Sequence, residues 1–277
     1  MKVIFHQMKC RTILNILLFI GIFFIEPQLI LSQVGISVSP PRVYYSLNPG
    51  EIGSQKILVY NISKNNTLNL SLTFGDWKYD DAGNNLMFQP DSLPNSCASW
   101  LGVTEGTYFS LEPGEKKEIE LTMAVPPQPK SNENVQTAML YVTQMNPIDG
   151  LDEKGAAIKI NVRSGIKIYR KGKAPEIKKI EIEKFSFDKE KNILTLVFNN
   201  KSNIWVNGIV KTSLFNQTNG KESNIEPMEF YTLPDNHRIM DIPIKRKLDK
   251  GHYIVTVMMD YGDENNIEAA ELEFNYE

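Results

Sequence analysis

The sequence predicts an all-β protein: two immunoglobulin-like β-sandwich domains in tandem behind a signal peptide. Three observations lead there. Nearly every segment after residue 33 alternates apolar and polar residues with period 2, the pattern of strands with one buried face. Turn chemistry cuts these segments at short intervals, most clearly at Pro49-Gly50, Asp80-Asp81-Ala82-Gly83 and Pro113-Gly114. No segment after the leader has convincing helical periodicity. Many short strands joined by turns close best as antiparallel sandwiches.

Taken in order, residues 1–32 read as the leader. Lys2, Lys9 and Arg11 make a basic start, residues 13–25 are nearly all apolar, and Glu26-Pro27 ends the run. The run is shorter than the roughly 20 residues a membrane helix needs, and suits a signal peptide cleaved after Ser32, with an uncleaved N-terminal anchor as the other reading. No later stretch reads as a transmembrane segment, so the expected product is exported and soluble. The first domain is expected over 33–170, with strands near 36–38, 42–45, 56–62, 68–77, 117–123, 135–145 and 155–169. Lys171-Gly172-Lys173-Ala174-Pro175 reads as a linker over 171–176. The second domain is expected over 177–277, with strands near 180–185, 193–198, 204–215, 228–233, 239–244, 253–261 and 269–276.

Composition narrows the function. The 277 residues carry a net charge of -3; removing residues 1–32 takes away three basic groups and one acidic group and leaves -5. A mildly acidic chain with scattered lysines gives no electrostatic case for nucleic acid. Cys10 lies in the leader, so Cys97 is alone in the mature chain and no internal disulfide forms. Cys97 reads as a small buried hydrophobe. His237 and His252 flank turns and read as solvated surface residues. Asp80, Asp81, Asp260, Asp263 and Glu264 read as hydrated hairpin residues rather than a calcium loop. With no HExxH, CxxC, GxSxG or Gly-rich phosphate loop, the reading is that of a non-enzyme with no metal and no cofactor.

The segment 155–170 is the most informative. Ile158, Ile160, Val162, Ile166 and Ile168 share one face of a long, proline-free, β-branched strand. Such a strand is either a core strand or an edge that lends its apolar row to a partner, and the pattern alone leaves both readings open.

Four motifs of the first domain resemble those of the PapD-like periplasmic chaperones of pilus assembly. Arg42-Val43-Tyr44-Tyr45 is similar to that family's first-strand signature, with Pro41 where threonine is usual. Leu111-Glu112-Pro113-Gly114-Glu115 is similar to its turn. Residues 139–147 occupy the place of its proline-ended strand, and Ile166-Lys167-Ile168-Tyr169-Arg170 resembles its closing motif. The chain departs from the family at 132–137, in the stretch 75–106, and in the second domain; its style resembles a divergent, Bacteroidetes-like member. The resemblance implies a chaperone that caps incomplete β-sandwich subunits by inserting a donor strand. Arg42 and Lys167 would bind the client's terminal carboxylate, and Ile158, Ile160 and Val162 would plug its groove. It implies pilin-like or surface β-sandwich subunits as partners and leaves an outer-membrane usher open as another. Two other readings stand beside it: an exported structural or adhesion protein of Ig-like modules, and a carbohydrate-binding accessory using Trp77, Trp100 and Trp205.

Overall fold

The computed structural model describes residues 35–277 except 105, 130, 132, 152–154 and 264–265. The signal peptide expected over 1–32 lies outside the described residues. Among the described residues no helix is long and apolar enough to cross a membrane.

The chain is all-β. Its first strands are β1 (Ile36–Ser39), β2 (Arg42–Ser46), β3 (Ile52–Asn61) and β4 (Leu68–Tyr79). Next come β5 (Asn85–Phe88), a single 3-10 turn at Ala98–Trp100, β6 (Leu101–Val103), β7 (Tyr108–Leu111) and β8 (Lys116–Ala124). This half closes with β9 (Val135–Gln144), β10 (Ile148–Leu151), β11 (Ala157–Ile160) and β12 (Arg163–Lys171). One sheet runs β1-β3-β8-β6; the facing sheet runs β2-β12-β9-β4-β5, with β7 on the first third of β4. The chain crosses between sheets at Pro40-Pro41, where two residues without N–H groups cannot continue a ladder. Val43, Tyr45, Ile57, Leu70, Ile119, Leu140, Ile166 and Ile168 meet in the core between the sheets.

The second half contains β13 (Ile180–Asp188), β14 (Ile193–Asn200), β15 (Val206–Asn216), β16 (Lys221–Thr232), β17 (His237–Pro243), β18 (Gly251–Asp260) and β19 (Glu268–Tyr276). A sheet β13-β14-β17 faces a sheet β16-β15-β18-β19 over a core that includes Leu196, Phe198, Leu214, Phe230, Val255 and Val257. Both halves are therefore β-sandwiches, as the alternation predicts, antiparallel throughout their named sheets except where β2 runs parallel to β12.

Two features differ from the sequence reading. The strand expected as one piece over 155–169 is two, β11 and β12, broken at Asn161-Val162. β12 pairs with β9 only as far as Arg163 opposite Thr143, while β11 folds onto β10 in a separate two-stranded ribbon. Gln144 marks the break: its N–H donates to the Val162 carbonyl at 2.9 Å, and its side-chain oxygen accepts from the Val162 N–H at 3.3 Å. Second, β9 is buried along nearly its whole length on both faces. Its outer face is covered because a third cluster lies between the two sandwiches. There Trp77, Tyr79, Val135, Met139, Tyr141 and Tyr169 meet Ile204 and Leu233, with Trp205 and Tyr231 against them.

Candidate functional site

Strand alternation alone places the site. On β12, Ile166 and Ile168 point into the first core, so Lys167 and Tyr169 face the second sandwich. On β2, Val43 and Tyr45 are core, so Arg42 and Tyr44 share that outer face. β2 and β12 are parallel neighbours, and their register puts Arg42 opposite Lys167. The two cations that the sequence resemblance singles out are thus brought side by side at the cleft between the sandwiches.

The walls around them are aromatic. The Lys167 ammonium lies 4.3 Å from the centroids of both Trp77 and Tyr79 and donates to the Tyr79 hydroxyl at 3.0 Å. The Arg42 guanidinium sits 4.5 Å from the centroid of Tyr231, a residue of the second sandwich. Tyr44 stacks on Tyr169, and Trp205 packs at a tilt against both, with centroids 5.1 to 5.3 Å apart. Cation–π attraction holds both charges without neutralising them. Among the described residues neither cation pairs with a carboxylate, and the Arg42 Nε is buried without a partner. Burial, with the Arg42 charge beside it, lowers Lys167 to about 8. A lysine held this far below its ordinary value of about 10.4 is short of anionic contact.

Arg170, in the same strand, is tied to oxygen acceptors through its two terminal nitrogens, although its Nε, like that of Arg42, is buried without a partner. It is buried, and it donates to the Gln136 side-chain oxygen at 2.6 Å and to the Leu47 carbonyl at 2.5 Å. Those acceptors make it a structural tie; the Arg42–Lys167 pair has no such set.

The apolar row leads away from the cleft. Val162 packs against the rim of the first core. Ile160 and Ile158 continue the row onto β11, beyond the core, and Ile158 is 39% exposed. Gly150 lies opposite Ile158, and its missing side chain leaves the space that the Ile160 side chain occupies. Among the described residues β11 pairs along one edge only, with β10. Lys167 and the three apolar residues therefore lie along a single line of chain, with Arg42 beside Lys167 at one end and an open strand edge at the other.

The structure also places the other residues singled out in the sequence. Trp77 is fully buried and its indole N–H donates to the Ala138 carbonyl at 2.9 Å. Trp100 packs against the first core, and Trp205 is committed to the interdomain stack. Trp77 offers no face to a sugar, and Trp100 and Trp205 are partly buried by these contacts. His237 is at the surface, as expected, and stands between Asp81 at 3.3 Å and Glu183 at 3.5 Å. Cys97 is buried, and burial pushes its thiol well above the ordinary range. The aromatic walls escaped the sequence reading, although Trp77 and Tyr79, two apart on one strand, carried the signal of a second buried face.

No family model and no curated protein matches the chain. Solved structures do resemble it. The YadV chaperone is 14% identical over 86% of this chain and 99% of its own, with a TM-score of 0.46. A chain from the Salmonella enterica SafA pilin–SafB chaperone complex is 14% identical over 87% and 97%, with a TM-score of 0.46. The E. coli chaperone DraB is 15% identical over 88% and 99%, with a TM-score of 0.43.

Proposed function

We propose that this protein is a periplasmic chaperone that captures an incomplete β-sandwich subunit, pilin-like or of surface type, by lending it a strand. The observation that carries the reading is the Arg42–Lys167 pair: two adjacent cations, partly withdrawn from water, walled by aromatic rings and without a carboxylate of their own. A terminal carboxylate supplies what the pair lacks, through charge-assisted hydrogen bonds shielded from water.

The line of β12 and β11 sets the direction of the captured strand. With its carboxylate at Lys167 and its body beside Val162, Ile160 and Ile158, the client strand runs parallel to this chain and ends at the cleft. From Lys167 back to Ile158 is about 30 Å of extended chain, enough for a full client strand. Main-chain hydrogen bonds to the open edge of β11 give affinity, and the three apolar side chains fill the client's groove. Such an activity involves binding only, with no bond made or broken.

The test is capture by the full chain of a client subunit ending in a free carboxylate. Arg42→Ala and Lys167→Ala should leave folding intact and weaken capture by about 2–5 kcal/mol, the cost of stranding one partner of a shielded charged contact. Unchanged capture by the double variant would remove the anchor from the mechanism.

A further inference from the structure

We propose that the second sandwich is a positioning element for the cationic anchor: Arg238, seated against Gly83, fixes the turn that holds Tyr79 and, through Tyr79, the Lys167 ammonium. The inference rests on the anchor reading above and gives the second domain a role within it.

The connection is short and continuous. Tyr79 is the last residue of β4, and the turn that follows is tied internally. Asn84 N–H donates to Asp80 Oδ1 at 2.7 Å, its side-chain amide donates to Asp80 Oδ2 at 3.0 Å, and Gly83 N–H donates to the Asp80 carbonyl at 3.0 Å. These bonds brace the turn between Tyr79 and its strand partner Asn85. Three consecutive residues of β17 grip it from the second sandwich. His237 approaches Asp81 at 3.3 Å, the Ile239 N–H donates to the Asp81 carbonyl at 2.7 Å, and Arg238 lies between them.

Arg238 is unusual in two ways. It is only 6% exposed, and its Nε and Nη1 are buried without hydrogen-bond partners. The guanidinium also occupies the place where a β-carbon on residue 83 would stand; Gly83 has φ +89°, so glycine serves both the backbone and the space. The guanidinium carbon lies 5.9 Å from the Tyr79 ring centroid, and Lys167 holds the same ring at 4.3 Å. A buried arginine with orphaned donors costs stability. Here it fills a notch that only glycine provides, and the contact it secures is the seat of Tyr79. If the turn slips, the Tyr79 hydroxyl leaves Lys167 and water reaches the ammonium.

The readout is therefore the titration of Lys167 in the free full-length protein, with no client present. Lysine labelled at the ε-carbon would be followed by NMR, and Lys167→Gln would assign the signal. The wild-type midpoint is expected near 8. Two variants keep the charge of Arg238 but break the fit: Gly83→Ala crowds the guanidinium, and Arg238→Lys loses its planar shape. Both should raise the Lys167 midpoint toward the ordinary lysine value, a gain of about tenfold or more in proton affinity, while thermal unfolding stays cooperative. Asp81→Ala, at the surface of the same turn, should give a smaller change in the same direction. An unchanged midpoint in folded Gly83→Ala and Arg238→Lys would overturn the proposal. So would a change confined to Arg238→Gln, since that variant removes a charge and would report electrostatics rather than position. Carboxylate capture is tested separately, with an extended threonine–valine decapeptide carrying a free carboxylate or an amide at its end. If the wild type does not distinguish the two, the anchor reading fails while the titration result stands.

Discussion

β11 and β12 come from one alternating stretch, yet they live in different environments. In β12, Ile166 and Ile168 are fully buried, and from Lys167 onward the strand is hydrogen-bonded on both edges, to β2 and to β9. In β11 the same parity carries Ile158 and Ile160, which lie outside the core, on a strand with one partner. Side-chain pattern does not separate the two halves. What separates them is the supply of neighbouring strands: β2 begins at Arg42, opposite Lys167, and β9 ends at Gln144, opposite the break. A period-2 row tells which face is apolar; the topology decides whether that face is used at home or offered outward.

The largest effect that would break this comparison is on stability. Ile168→Ala should lower stability by about 2–5 kcal/mol, the usual cost of emptying a packed aliphatic site. Thermal or denaturant unfolding of the full chain measures it. A loss below about 1 kcal/mol would mean that the core does not depend on β12, and the contrast with β11 would vanish.

Next comes pH, which acts at the junction of the two halves. Lys167 is lowered to about 8 in the folded protein, by burial first and by Arg42 second. Capture of a carboxylate needs the charged ammonium, so it should be strong at pH 7 and weaken as pH rises through about 8. The Arg42 charge persists, so a residual affinity remains. Folding responds in the opposite sense. Between about 8 and the ordinary lysine value the unfolded chain holds a proton that the folded chain has released, so this group's penalty on stability shrinks as pH rises through that window. Below pH 8 the penalty is constant. Titrating capture from pH 6.5 to 9.5 checks the first statement, and Lys167→Arg should flatten the curve. A flat curve for the wild type would mean that Lys167 carries no part of the contact.

Much of this was legible in the sequence, and the remainder fails for identifiable reasons. The two sandwiches follow from period-2 alternation and turn residues. The facing of Arg42 and Lys167 follows from parity with Val43, Tyr45, Ile166 and Ile168. The short strands β5, β6, β7 and β10 were not legible, because their three or four residues do not alternate cleanly, unlike the equally short Ile36–Ser39. The break at Asn161-Val162 was hidden because Ile160, Val162 and Ile166 keep the same parity across it; only the Gln144 side chain reveals it. The cleft wall was missed because Trp77, Tyr79 and Tyr169 owe their burial to residues at least 35 positions away, at Ile204, Trp205 and Leu233. Arg238 carries no local signal at all; its meaning appears only beside Gly83.

The smallest stability effect is the one that most sharpens the comparison. Ile158→Thr replaces a side chain that is 39% exposed and belongs to no core cluster. It keeps β-branching, so strand propensity is preserved. Stability should change by no more than about 0.5 kcal/mol, as for most surface sites. Ile160→Thr, half-buried over Gly150, should cost slightly more, and Val162→Thr more again because Val162 packs against the first core. Client capture should follow the reverse order relative to stability: the loss of binding per folded molecule should be clear for Ile158→Thr and Ile160→Thr even where melting is unchanged. Measuring thermal unfolding and capture on the same three samples separates the two uses of the row. If all three variants lose stability as Ile168→Ala does and bind normally once folded, β11 is core like β12, and no strand is left to lend.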